Sequence, residues 1–245
     1  MGDDDIEYGD TWVYESIVGA LPGIDISDRL AVAIQLGLFE VALLIVGVYY
    51  GLETAMMAGT AAVIVAAAGS AVMLVLSERT RSLPAPVAYR RLLFGSNVEV
   101  VLGVLAFVAL ITHLFVYDPR QPGVDLLTSL FGPEPPAVAV YLMLLILWDV
   151  AYRIGTSWWA IVVAVWRSYR YSFPSDAVRS YRRTDLLNVA FSGVQALLLP
   201  FVVDHPVLFA VIGGHVVAVL VAASLSLYFL HRNEGIAATT DGAHG

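Results

Sequence analysis

The chain has 245 residues, of which 59% are hydrophobic and only 14% charged, with a formal net charge of −8. Soluble domains carry about 25% charged residues, so this composition excludes a water-covered surface and predicts a multi-pass membrane protein. The absence of Cys excludes disulfides and thiol chemistry, the absence of Lys excludes Schiff bases, and the acidic balance argues against a nucleic-acid partner.

The first 28 residues are predicted to form a cytoplasmic N-terminal segment. Its stretch "TWVYESIVGAL" places the apolar side chains on one face of a helix. That spacing is typical of an amphipathic helix that lies in the membrane interface. Ser27 or Asp28 can then cap the first membrane helix.

Six apolar stretches follow, and a helix needs about 20 such residues to cross a bilayer. They cover about 30–52, 54–77, 97–117, 137–166, 186–204 and 207–230, and "GLE" at 51–53 predicts a tight turn between the first two. The predicted fold class is therefore all-α, a polytopic membrane helical bundle of six transmembrane helices within residues 29–231. Residues 232–245 are small and polar, which predicts a disordered cytoplasmic tail.

Arginine placement predicts the orientation. The loops at about 78–96 and 167–185 are rich in Arg, whereas "YDPRQPGVDLLTSLFGPEPP" between them carries one Arg and three acids. Short Arg-rich loops stay in the cytoplasm, so both termini are predicted to be cytoplasmic in the cell membrane. "VDLLTSLF" is predicted as a second surface helix. The cytoplasmic basic loops contain Arg90, Arg91, Arg182 and Arg183.

The two basic regions resemble each other. Tyr89-Arg90-Arg91 matches Tyr181-Arg182-Arg183 at an offset of 92 and, with small gaps, Asn97 matches Asn188 and His113 matches His205. A parallel duplication of a helical hairpin, as occurs among transporters, would produce this pattern. Independent convergence of two basic loops would produce it as well.

Few ionisable residues lie at mid-membrane depth, where such groups usually face a bundle interior or a wet cavity. Asp149 and Arg153 are four residues apart on one helical face and are predicted to pair. With Glu40 and His215 they are predicted to form a mid-membrane polar centre. Secondary polar residues are Gln35, Asn97, Glu99, Asn188 and Gln195.

This centre has three interpretations: a structural clamp, a proton or cation path, and a clamp for an anionic substrate. The leading function is a small transporter or channel-like protein that handles protons or cations. The alternative is a structural or accessory subunit of a membrane complex. The lipid bilayer is the expected partner, with a homo-oligomer or another membrane subunit as further partners.

Enzymatic function is the third hypothesis. Neither the His-Glu-x-x-His nor the Gly-x-Ser-x-Gly motif occurs, so no catalytic residue, metal site or cofactor is predicted. His113 and His215 are the candidate axial ligands if the protein binds b-type haem. The Tyr-Arg-Arg loops could hold phosphate in a lipid-modifying enzyme.

Three stretches, "DTWVYESIVGALPG", "YRRLLFGSNVEVVL" and "LWDVAYRIGTSWW", resemble an uncharacterised multi-pass membrane protein family of halophilic archaea. The acid-rich composition without Lys is similar to that of proteins from such organisms. The resemblance covers nearly the whole chain. It implies a membrane location and carries over no activity and no site residue.

Overall fold

The computed structural model describes residues 12, 27–83 and 85–241, including all their side chains except those of 28, 29, 31 and 234–241. The amphipathic helix predicted within residues 1–28 lies outside the described residues, apart from Trp12. The last four residues of the predicted tail lie outside them too.

Eight α-helices, α1 to α8, follow one another in the described chain. They cover Asp28–Tyr50, Glu53–Ser82, Val87–Phe94, Val98–Thr112, Leu126–Phe131, Ala137–Arg170, Ser175–Gln195 and Pro206–Asp241. A π-helical turn at His113–Tyr117 and a 3-10 turn at Asp118–Arg120 prolong α4, and a 3-10 turn at Ala196–Phe201 prolongs α7. These ranges contain no strand, and six helical stretches in them are long and apolar enough to cross a membrane. The predicted all-α fold with six membrane-spanning helices is confirmed.

The first two helices have the expected start and turn. The Ser27 side-chain oxygen accepts a hydrogen bond from the Leu30 backbone N–H at 3.4 Å and so caps α1. Gly51 ends α1 in the left-handed conformation, with φ of 68°. Glycine adopts that conformation without the penalty of a side chain, which lets the chain turn directly into α2.

The two basic loops are mostly helical, which differs from the predicted boundaries. Helix α2 runs to Ser82, "VAYRRLLF" forms the separate helix α3, and α7 starts at Ser175. Asn97, with a left-handed φ of 55°, separates α3 from α4. The boundaries were predicted from hydropathy, which shows only where the apolar part of a helix ends. Arg, Tyr and Leu are compatible with a helix beyond the apolar layer, so the helices continue past the predicted ends.

Two shorter segments complete the comparison with the sequence. The predicted helix in "VDLLTSLF" is present as α5, and its position on the membrane surface stays a prediction. Helix α8 is described to Asp241 and continues past residue 231, where the membrane domain was predicted to end.

Helix α6 lies at the centre of the bundle and contacts α1, α2, α3, α4, α7 and α8. Its backbone comes close to that of α4, where a Cβ added at Gly155 would lie 3.0 Å from the Gly103 backbone nitrogen. A Cβ added at Gly103 would lie 3.1 Å from the Tyr152 Cα. Only residues without a side chain permit this backbone contact, which is the usual way in which membrane helices pack tightly.

The surface is apolar and much of the interior is polar. Leu38 and Val48 of α1 are 68% and 73% exposed, whereas Arg153, Arg167 and Asp185 are buried. A water-soluble fold places such residues the other way round. With the six apolar helices, this arrangement identifies an integral membrane protein.

One end of the bundle, here the basic end, gathers both Arg-rich regions and parts of both chain ends. Trp12 is buried there, and its indole N–H donates a hydrogen bond to the Leu93 carbonyl oxygen at 3.3 Å. The same apolar cluster contains Phe173 from the α6–α7 connection and Leu230 from α8. The opposite end, here the acidic end, holds the turns after α4, α5 and the α7–α8 connection.

Candidate functional site

Asp149 and Arg153 form the predicted ion pair on α6. The Arg153 Nη2 lies 2.8 Å from the Asp149 Oδ1, and its Nε lies 3.3 Å from Oδ2. Both side chains are buried. The four-residue spacing is sufficient to produce this pair, because it places both side chains on one helical face. Its role in function stays a prediction.

The other two members of the predicted centre have different surroundings. The Glu40 Oε1 accepts a hydrogen bond from the Thr60 hydroxyl at 2.8 Å, which joins α1 to α2. His215 lines an apolar cavity, and its ring lies 5.8 Å from that of Trp158. The described contacts therefore join Asp149 to Arg153, and the grouping of Glu40 and His215 with this pair stays a prediction.

The secondary polar residues also divide among separate locations. The Asn188 Oδ1 accepts a hydrogen bond from the Ser157 hydroxyl at 2.9 Å, which links α7 to α6. Asn97 is exposed at the break between α3 and α4, and Gln35 is half-buried on α1. Gln195 is buried beside the same apolar cavity as His215.

Glu99 has the most unusual environment of these residues. It lies in the first turn of α4 with 0% of its surface exposed. Within the described part of the chain, neither of its carboxyl oxygens has a hydrogen-bond partner. A buried carboxylate without a partner is costly, so something must compensate its charge.

A second buried ion pair lies at the basic end and was not predicted. Arg167 of α6 and Asp185 of α7 are both buried, and the Arg167 Nη2 lies 2.8 Å from Oδ2 and 3.1 Å from Oδ1 of Asp185. The Ser226 hydroxyl of α8 donates to the Asp185 Oδ2 at 2.7 Å. The pair therefore connects three helices.

Two tyrosines complete this basic-end cluster, which consists of Arg167, Asp185, Ser226, Tyr89 and Tyr181. The guanidinium carbon of Arg167 lies 4.1 Å from the Tyr181 ring centre and 5.4 Å from that of Tyr89. The Arg167 Nη1 also donates to the Tyr89 hydroxyl at 3.4 Å. Aromatic faces stabilise a desolvated guanidinium, which offsets part of the cost of burying Arg167.

The spacing of Arg167 and Arg153 in the sequence is a signal that could have predicted this cluster. Arg167 and Asp185 were predicted to lie in a cytoplasmic loop, and the Arg residues of such a loop were interpreted only as an indication of membrane orientation. Arg167 follows Arg153 by two heptads, and this spacing places both on nearly the same face of α6. An inward-facing Arg at a helix end requires an acidic partner, and Asp185 supplies it.

Two histidines meet at Asp118 at the acidic end. The His205 Nδ1 lies 3.1 Å and the His113 Nε2 3.9 Å from the Asp118 Oδ1. The Asp118 Oδ2 accepts a hydrogen bond from the Leu126 backbone N–H at 2.7 Å, which fixes the start of α5. This acidic-end cluster of His113, Asp118 and His205 lines a cavity of about 660 Å³ that also contains Asp204. The predicted haem pair of His113 and His215 stays a prediction.

Two of the residue pairs matched in the sequence duplication lie near each other in the structure, whereas Asn97 and Asn188 have different surroundings. The rings of Tyr89 and Tyr181 are 6.2 Å apart, and His113 and His205 both face Asp118. The Arg residues that follow each Tyr also agree in exposure, since Arg90 and Arg182 are half-buried and Arg91 and Arg183 exposed. The duplication of a helical hairpin itself stays a prediction.

Comparison with known proteins identifies a family and leaves the activity open. No curated protein and no solved structure matches this chain. A family of unknown function, DUF7530, matches residues 7–226, which include α1 to α7, both clusters and the Asp149–Arg153 pair. Because this match covers nearly the whole membrane domain, the chain belongs to the DUF7530 family.

Proposed function

We propose that this integral membrane protein is a small transporter or channel-like protein that takes up a proton or a small cation inside the bilayer. Glu99 is the proposed acceptor. The observation that supports this role is its complete burial, with no hydrogen-bond partner for either carboxyl oxygen among the described residues. We place the protein in the cell membrane with its basic end in the cytoplasm, because Arg-rich ends are retained there.

The charge balance distinguishes Glu99 from the other buried acids. Asp149 and Asp185 are each paired with an Arg. Within the described residues no cation is paired with Glu99, and an isolated ionised carboxylate is strongly disfavoured at membrane depth. A proton or a cation from solution would supply the missing positive charge.

The position of Glu99 on α4 also suits a reversible acceptor. It lies one turn before Gly103, so both are on the face of α4 that meets α6. The first turn of a helix presents free backbone N–H groups and a partial positive charge, which favour an anion. The helix start would therefore offset part of the cost of an ionised Glu99, and a bound proton or cation would offset the rest.

Flux measurements in liposomes test this proposal. The purified protein is reconstituted and given either a pH gradient or a Na⁺ gradient, and a fluorescent dye inside the vesicles reports uptake. We expect Glu99→Gln to lower the rate at least tenfold, because the amide keeps the shape but cannot exchange a proton or bind a cation. The matched control is Glu134→Gln, the same change at an exposed position near the acidic end. Uptake by Glu99→Gln at the unmodified rate would contradict the proposal.

The second candidate is a structural or accessory subunit of a membrane complex. It is supported by the basic-end cluster, whose buried charges are paired and join three helices without any need for a ligand. For such a subunit we expect no flux even in the unmodified protein. Replacing the Glu99 carboxyl group would then raise resistance to unfolding without the loss of any activity.

A further inference from the structure

A second cavity, distinct from the acidic-end cavity, lies within the bundle. It has a volume of about 360 Å³, within the range of about 300–1,000 Å³ that is usual for sites of small molecules. Its wall is formed by residues of α1, α2, α4, α5, α6, the end of α7 with the 3-10 turn that follows it, and α8. Among the described residues that line it, only Gln195 and His215 carry polar side chains, and none is charged.

The side chain of Gln195 makes no hydrogen bond that would explain a purely structural role. It is fully buried, and in the described part of the chain neither its amide oxygen nor its amide nitrogen has a hydrogen-bond partner. The His215 Nε2 is likewise buried without a partner there. Buried amides are nearly always hydrogen-bonded, so two unsatisfied groups on one apolar cavity indicate an absent partner.

We infer that this cavity binds a neutral, lipid-soluble molecule with a long apolar body and a carbonyl or hydroxyl oxygen at one end. The apolar wall would hold the body, and the oxygen would accept a hydrogen bond from the Gln195 amide or from the His215 imidazole. A charged head group is disfavoured because no residue of the wall could compensate it. This inference does not depend on the role proposed for Glu99, which is absent from the wall.

Three probes of similar length separate the chemistries. Decylubiquinone offers carbonyl oxygens, 1-dodecanol offers a hydroxyl group, and dodecane offers neither. Binding to detergent-purified protein is followed by tryptophan fluorescence, because Trp158 is close to His215. We expect at least one oxygenated probe to bind the unmodified protein at least tenfold more tightly than dodecane does. Which of the two binds distinguishes a carbonyl ligand from a hydroxyl ligand.

Gln195→Leu is the decisive variant, since it removes the amide and keeps a similar volume. We expect the affinity for the oxygenated probe to fall at least tenfold and the affinity for dodecane to stay the same. The matched control, Gln121→Leu at the exposed acidic end, should bind like the unmodified protein. Without a probe, Gln195→Leu should unfold at the same temperature or higher, because an unsatisfied amide has been removed.

Two results would overturn the inference. One is equal affinity of all three probes for the unmodified protein, which would mean that the cavity takes any apolar chain, such as a lipid tail. The other is unchanged binding of the oxygenated probe by Gln195→Leu. Retained binding by Glu99→Gln would show that this site and the proposed acceptor are separate.

Discussion

The two ends of the bundle gather charged and aromatic residues in similar ways but surround them differently. At the basic end, Tyr89 and Tyr181 enclose the Arg167–Asp185 pair, which is fully buried. At the acidic end, His113 and His205 flank a single Asp118 at the wall of a cavity of about 660 Å³.

This difference separates an enclosed cluster of paired charges from one that lies at the wall of a cavity. In the basic-end cluster, Arg167 contacts both carboxyl oxygens of Asp185, and the Ser226 hydroxyl donates a second hydrogen bond to Oδ2. The acidic-end cluster contains one carboxylate and two imidazoles, has no Arg partner in the described part of the chain, and lines a cavity. Mutations at the basic end should therefore affect stability more than those at the acidic end.

The largest effect is expected for Arg167→Met. It leaves Asp185 buried without its cation, and removing one partner of a buried pair costs about 3–5 kcal/mol. Chemical unfolding in detergent should report this loss. The double variant Arg167→Met with Asp185→Leu should recover most of it, because neither charge then remains. The exposed control Arg91→Met should change the unfolding free energy little. A single variant as stable as the unmodified protein would show that the cluster is not structural.

A smaller effect is expected for Asp118→Leu at the acidic end. The change removes the acceptor for the Leu126 backbone N–H and for His205, and an unsatisfied buried donor costs about 1–3 kcal/mol. The same unfolding experiment applies. Asp204→Leu is the control, since Asp204 lines the same cavity but is exposed. A loss as large as that of Arg167→Met would remove the distinction between the two ends.

The smallest effect is expected for Asp125→Ala, which removes the N-cap of α5. The Asp125 carboxylate accepts hydrogen bonds from the backbone N–H and the hydroxyl of Thr128 at 2.9 and 2.7 Å. Loss of such a cap costs about 1 kcal/mol. The measurement is the difference in unfolding free energy between the variant and the unmodified protein.

The difference in unfolding free energy between Asp125→Ala and the unmodified protein should depend on pH. Burial raises the pKa of Asp125, but the hydrogen bonds from Thr128 outweigh burial and hold that pKa below its ordinary value. The stabilisation is therefore complete above the ordinary pKa of Asp and disappears as the pH falls through the lowered one. Unfolding at neutral and at acidic pH should show the difference shrinking in acid. A constant difference would mean that the charge of the cap is irrelevant.

Much of this protein could be predicted from local patterns. Apolar runs located the six membrane helices, because their length is set by the bilayer. The spacing of Asp149 and Arg153 predicted their pairing, since both belong to one helix. The Tyr and His residues matched in the duplication proved to meet, although sequence alone could not indicate what lies between them.

Pairings between distant helices could not be predicted in the same way. Depth in the membrane does not specify which face of a helix meets which neighbour, so the contact of Glu40 with Thr60 on α2 was not predicted. Gln195 was predicted only as a secondary polar residue, because the sequence around an amide in an apolar stretch indicates neither its partner nor a cavity beside it. Arg167 was predicted to lie in a loop because the apolar part of α6 ends before the helix itself does.

The sequence by itself determined the class of protein, the number of membrane helices and the pairing of Asp149 with Arg153 one turn away on the same helix. Those properties depend on composition and on the fixed geometry of the α-helix. Only the tertiary structure decided which charges are paired, which remain unpaired and where the cavities lie, as Arg167, Glu99 and Gln195 illustrate. Such properties depend on how helices far apart in the chain rotate and pack against one another.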